Sequence, residues 1–474
     1  MRWSVLIVLA ACSRVTSSAI DDAAIVIDSR LFDAYTPDAA PPDAYVRRPC
    51  DAPATFADNR VPSRVLHVRP YAQNGDGSAT APFGTIAAAA AVATPGTFIL
   101  LEPGVHASDQ FIPNLRGTPT APIWIGGALG THPVINDGSE GLHLIGAAYV
   151  VIQHLDFRNQ DGPALNIDGG VTYTGQAHDV VVSDVWIHDV AGYACIKASG
   201  MDNIFLYDNA LQRCSIGIDL VGVHGASIAR NVITSTIVNG MQARGGSTDI
   251  DIRQNRMRDV AGIGIELGGS TLFGWFRPAL STTSSNAEAR RVRAFDNVIT
   301  GNTGTPFAFL GCSDCLVAHN LTWGTPTMLI RIFAGPASQN GFAFEPTRNG
   351  RVINNAFVFS SSLLAHVDDA PAADVASFTF SHNSWLSINV PSQSTPRFSS
   401  TQQPVPDTNA LIGAGTGYTQ EIAYIPPYCG GPEATAGLPL PEIDGTIEGY
   451  CRADVSSTTI GPQIFQPDWC LLGP

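Results

Sequence analysis

Asparagine recurs at one fixed place in this 474-residue chain, at the end of short apolar segments: "IFLYDN", "ASIARN", "IDIRQN", "RAFDN" and "CLVAHN". The residues are Asn209, Asn231, Asn255, Asn297 and Asn320, separated by 22, 24, 42 and 23 positions. A second series, "CIKAS", "GIDLV", "GMQAR", "GIELG", "FAFLG" and "LIRIF", marches in step. Its central residues Lys197, Asp219, Gln242, Glu266, Ala308 and Arg331 are spaced 22, 23, 24, 42 and 23 apart. Two series sharing one spacing, long interval included, mean stacked structural repeats with one large insertion.

The repeated segments are four to six residues long and rich in Ile, Val, Leu and Phe, which reads as strand rather than helix. Equivalent strands stacked coil on coil must run parallel, so the expected fold is all-β, a right-handed parallel β-helix. Asparagines at matched turns would form a hydrogen-bonded ladder that satisfies backbone groups water cannot reach. A leucine-rich repeat is the alternative solenoid, but its leucine spacing and helix signals are missing.

On these repeats, together with the opening "NGDGSATAPFGTIAAAAAVATPGTFILLEPGVH" at residues 74–106, the chain resembles the pectate-lyase-like superfamily of parallel β-helix proteins. That resemblance implies an Ala-rich helix capping the first open end and a first coil beginning at "TFILLEPG". It covers residues 64–400 and implies a carbohydrate-active protein without naming the activity, because this fold hosts lyases, glycosidases and epimerases.

Alternation along the repeated strand puts Ile196, Ile218, Met241, Ile265 and Ile330 inside. An outward row then holds Asn166, Lys197, Asp219, Gln242, Glu266, Ala308 and Arg331, and a second row holds Asp168, Ser199, Val221, Arg244 and Gly268. With coils about 4.8 Å apart, Lys197 should lie beside Asp219, and Asp219 about 10 Å from Glu266 with Gln242 between. Lys197 is the single lysine among 26 basic side chains. Such a row makes either a groove floor for an extended glycan or a self-neutralising cross-strand ladder. The insertion from Gly268 to Arg291 follows Glu266 directly and carries Phe273, Trp275, Phe276 and Arg277, placed to wall that groove.

The leading expectation is a polysaccharide lyase cleaving a uronate-containing polymer by β-elimination. The reaction needs a cation at the carboxylate and a base at the neighbouring carbon. By resemblance to lyases of this fold, Lys197 would be the base, and Arg244, Arg277 or Arg331 the carboxylate clamp. Asp219 beside Lys197 favours the charged ammonium, which allows the opposite assignment, Arg244 as base and Lys197 as clamp. Asn166, Asp168, Gln242, Trp275, Phe276, Arg277 and Arg331 would contact substrate. The alternatives are a glycoside hydrolase using Asp219 and Glu266 as its acid and base, and a non-catalytic surface glycan-binding or structural protein. Calcium stays open as a cofactor, with Asp168, Asp219 and Glu266 as ligands through water.

The ends of the chain give its setting. Residues 1–11 read as a secretory signal, and "LAAC" resembles a bacterial lipobox, which implies lipidation at Cys12 and an exported, lipid-anchored protein at the outer membrane or cell surface. Residues 12–62, rich in Asp, Ala and Pro, read as a linker. The β-helix is assigned to 63–400 and a disulfide-rich C-terminal cap to 401–474, with "TIGPQIFQP" as a returning strand. For "CSDC" at 312–315 a disulfide or free thiols are favoured over zinc. The formal charge of -15 argues against nucleic acid as a partner, and a monomer is expected.

Overall fold

The computed structural model describes residues 54–413, except 171–176, 336–337, 339 and 361–362. The signal, Cys12, most of the linker, Cys50, and the C-terminal segment with Cys429, Cys451, Cys470 and "TIGPQIFQP" lie outside the described residues. Among the described residues, no helix is long and apolar enough to cross a membrane.

Parallel strands stack into a β-helix with three faces. The first full coil runs through Thr97–Leu101, Val105–Ala107 and Gln110–Pro113, and these pair in parallel with Ile123–Gly126, Val134–Asn136 and Leu142–Ile145 of the next. Some strands bend round corners: Ala177–Ser199 pairs with Met201–Tyr207 on the first face and with two parts of Ala210–Val221 on the others. The first open end is covered by the helix Ile86–Ala90, whose N-cap Thr85 accepts from the Ala88 amide and whose Ile86, Ala89 and Ala90 are buried. Pairing persists to Leu411–Ile412, past the expected limit at residue 400.

The asparagine ladder is present and longer than the sequence series. Asn209 Nδ2 donates to Asn231 Oδ1 at 2.8 Å, and the pattern continues through Asn255, Asn297, Asn320, Asn355 and Asn383. Asn383 ends the ladder by donating to Asp407 Oδ2. Each rung also caps a main-chain carbonyl, as Asn255 does for Ile228, so a polar side chain is tolerated in a buried turn. The residue just before each rung, such as Asp208, Arg230 or Gln254, has left-handed backbone at the corner.

Inside, Ile196, Ala198, Ile218, Met241 and Ile265 are fully buried, as alternation predicts. Two disulfides join cysteines of this core, Cys195–Cys214 and Cys312–Cys315. The first anchors the strand that carries Lys197 to the next coil. On the outer surface arginines reach across one coil to carboxylates, as in Arg213–Asp189, Arg230–Asp208, Arg291–Asp249 and Arg293–Asp251. The planar fork spans adjacent rungs and grips both oxygens, which accounts for arginine as the basic residue of this surface.

Candidate functional site

The third face carries the polar row in the expected register. His143 pairs with Asn166, Asn166 with Lys197, Lys197 with Asp219, Asp219 with Gln242, Gln242 with Glu266, Glu266 with Ala308, and Ala308 with Arg331. The row also extends beyond the sequence series, to Phe111 beside His143 and to Asp368 beside Arg331.

The middle of the row is not an open groove floor. Asp219 is 0 % exposed, and Gln242 and Glu266 are each 7 % exposed. The cover comes from the corner residue Tyr193, from Arg244 and from the insertion. Glu288 clamps the insertion's root by accepting from the Gly245 and Thr271 amides and the Thr271 hydroxyl. Phe273 and Phe276 pack on Phe344, and the Asn286 amide donates to the Ala343 carbonyl, tying the loop to a second excursion of the chain.

Asp219 takes four donors. Arg244 Nε reaches Oδ1 at 3.1 Å and Arg244 Nη2 reaches Oδ2 at 3.0 Å. Gln242 Nε2 donates to Oδ1 at 2.7 Å and the Tyr193 hydroxyl to Oδ2 at 2.6 Å. The register shifts between Gln242 and Ala243, and Arg244 lies against Gly269, where a Cβ would meet its side chain at 2.7 Å. Burial works against the Arg244 charge, but Asp219 more than compensates and raises its pKa above the usual guanidinium value. Arg244 is thus held charged, with two of its nitrogens on Asp219. Asp219 is shut in and fully engaged by these donors.

Lys197 is left with different company. Among the described residues no carboxylate comes within ion-pair distance of its ammonium, because Arg244 has taken Asp219. Its Nζ lies 4.8 Å from the Trp275 ring centre and 5.7 Å from that of Tyr193. The self-neutralising ladder therefore fails at this rung. Tyr193 bridges Asp219 and Arg244, whose Nη2 lies 3.0 Å from its oxygen, and burial together with Asp219 pushes the phenol up to about 12.

Beyond Lys197 the row stays covered at Asn166, 6 % exposed, and reaches solvent at Phe111. Burial alone would lower the His143 pKa, but hydrogen bonds with Asp168 at 2.7 Å and Glu140 at 2.8 Å raise it to about 9. Asn166 donates to Glu140 at 3.0 Å. Burial tends to raise Asp168, but His143, the Gly170 amide and Lys197 together lower it. Phe111 is 54 % exposed with its ring 5.2 Å from His143, and Trp275 is 40 % exposed. Two aromatic faces thus bracket the ammonium over a strip of three rungs, about 14 Å.

Glu266 sits at the covered end. Asn239 donates to its Oε2 at 2.8 Å and to Gln242 at 2.7 Å. Burial, with lesser repulsion from Glu288 and Asp219, outweighs Asn239 and Arg244 and raises it to about 7.

Other sequence candidates go elsewhere. Arg277 forms a two-pronged ion pair with Asp202 and caps the Met201 and Gly222 carbonyls, so it clamps the loop and not a substrate. Phe276 is buried. Arg331 pairs with Asp368 and lies over Phe333, four rungs beyond Asp219 and past the covered stretch. Asp168, Asp219 and Glu266 do not gather as a calcium shell: Asp168 holds His143 and Asp219 holds Arg244. Sequence reasoning missed Tyr193, His143, Glu140, Asn239 and Phe111. Of these, His143 and Phe111 lie one and two coils before Asn166 in the same row; Tyr193 and Glu140 come from corners, where the repeat carries no pattern.

No family model matches the chain, and no curated protein sequence matches it. Its fold is that of solved carbohydrate-active β-helix proteins. The GH136 lacto-N-biosidase from Eubacterium ramulus superposes with a TM-score of 0.54 at 14% identity, covering 74% of this chain and 68% of that one. The A-module of the Azotobacter vinelandii mannuronan C-5 epimerase AlgE6 gives 0.43 at 14% identity over 70% of this chain and 93% of that one. The pectate lyase Pel9A gives 0.33 at 13% identity over 77% and 95%.

Proposed function

We propose that this face binds an acidic polysaccharide and cleaves it by β-elimination, with Lys197 as the clamp on a uronate carboxylate. The observation that carries the reading is the ammonium left without a carboxylate partner between two exposed aromatic rings. Sugar rings stack on Phe111 and Trp275, and the carboxylate supplies the charge Lys197 lacks. Neutralising that carboxylate makes the proton on the adjacent carbon more acidic. Tyr193 then takes it: as the C–H bond breaks, its oxygen accepts the proton while its own passes to Asp219, and Arg244 steadies the pair. The released electron pair forms the carbon–carbon double bond, the C–O bond to the leaving sugar breaks, the leaving oxygen takes a proton from water, and the hydroxide so formed recovers through Tyr193 the proton passed to Asp219.

The test incubates the protein with a panel of uronate polymers and follows unsaturated product by absorbance. Lys197→Ala should weaken binding at least about tenfold and abolish turnover, since a hydrogen bond to a charged group contributes roughly 1.5–3 kcal/mol. Tyr193→Phe should keep binding and lose turnover. Product formation that survives both changes sinks the assignment, and binding without turnover in the parent protein reduces the function to glycan capture. Hydrolysis is the second reading, favoured by Glu266, a carboxyl still protonated near neutrality; reducing ends without unsaturation would select it. Export on a lipid at Cys12 belongs to the same proposal, and Cys12→Ser should release the protein from the membrane fraction.

A further inference from the structure

A separate cluster stands at the corner between the first and second faces, away from the Lys197 row. His154 and Asp184 occupy the same left-handed turn position in successive coils, with φ of 52° and 50°. This is the position of Asp208 and Arg230 farther along, so stacking alone sets their side chains one above the other, pointing outward. His154 Nδ1 lies 2.6 Å from Asp184 Oδ2. His132, in the excursion between Ile123–Gly126 and Val134–Asn136 of the preceding coil, brings Nε2 to 3.4 Å from the same oxygen. The potential ligand atoms of the three residues all lie within 4.8 Å of one another.

We infer that His132, His154 and Asp184 form a binding site for a divalent transition-metal ion of the zinc type. Two imidazole nitrogens and one carboxylate oxygen are the donor set that borderline ions such as Zn²⁺ and Co²⁺ prefer, and they leave one position for water. A tetrahedral shell with bonds of about 2 Å has ligand–ligand edges of about 3.3 Å. One of the present separations is shorter than that and one equals it, so small side-chain rotations complete the shell. Charge agrees. Hydrogen bonding to Asp184 raises the His132 pKa from its ordinary value, with Asp156 adding attraction. Burial alone would raise Asp184, yet the two histidines hold it well below the usual carboxylate range.

The ion would join an excursion to two successive coils on a corner remote from the glycan strip. It is a staple for the N-terminal half of the solenoid rather than part of the chemistry at Lys197.

The test uses the full chain without a histidine tag and with Zn²⁺ as the probe. Calorimetry should show one tight equivalent of zinc, and saturating zinc should raise the melting midpoint. His132→Ala, on an exposed and easily spared side chain, and Asp184→Asn should each remove that equivalent and the thermal shift, while native circular dichroism and glycan binding stay unchanged. Co²⁺ bound to the parent protein should give the visible absorption of a four-coordinate site, lost in both variants. No tight equivalent, or an equivalent that survives both substitutions, overturns the inference.

Discussion

Glu266→Gln separates a buried acid from a merely buried polar group. In the folded protein this carboxyl is raised from 4.5 to about 7, chiefly by burial, with smaller contributions from Glu288 and Asp219. The native state therefore binds more protons than the unfolded chain between those values, and stability falls as pH rises through that window. At 1.36 kcal/mol per unit the loss from this one group is about 3 kcal/mol, complete above about pH 8 and absent below about pH 4. Glutamine is isosteric with the protonated acid and keeps an oxygen to accept from Asn239, so the variant should match the parent at low pH. At pH 8 it should be the more stable protein by about 3 kcal/mol. Urea unfolding of both proteins at matched ionic strength, at pH 4.5 and at pH 8, measures the difference, in which titrating groups away from Glu266 cancel. A variant whose stability relative to the parent is the same at both pH values, or falls as pH rises, would refute the argument that Glu266 carries a proton near neutrality.

Asp219→Asn leaves Arg244 buried without its counter-charge and should cost about 3–5 kcal/mol. The companion change Arg244→Met in the same background should recover part of it, as read by thermal unfolding. Asn255→Ala removes the acceptor of the Asn231 amides and the donor to the Ile228 carbonyl. Stranding these buried groups should lower stability by about 2–5 kcal/mol, measured by urea unfolding. A loss of less than about 1 kcal/mol would mean that water replaces the rung.

Much of the scaffold could be read from spacing because a solenoid is close to one-dimensional. Once the asparagine and strand series share a period, register follows by counting, and the row from Asn166 to Arg331 needs no knowledge of loops. The same counting could not see Tyr193 or Glu140, which enter the site from corners, or the hold of Phe344 on the insertion. It also misjudged the insertion as a wall. Phe273 and Phe276 instead find aromatic partners, Arg277 finds Asp202, and only Trp275 remains at the strip.

The sequence by itself determined the coil, its ladder, the inward and outward sides, and that Lys197 and Asp219 are neighbours. Backbone pairing repeats at a fixed rise, so periodic residues carry that information locally. Only the tertiary structure decided which cation Asp219 keeps. Arg244 reaches it with two nitrogens from one coil farther on, in a covered pocket where a two-pronged ion pair outcompetes a single ammonium. That competition among groups distant in the chain is what leaves Lys197, among the described residues, outside ion-pair distance of any carboxylate.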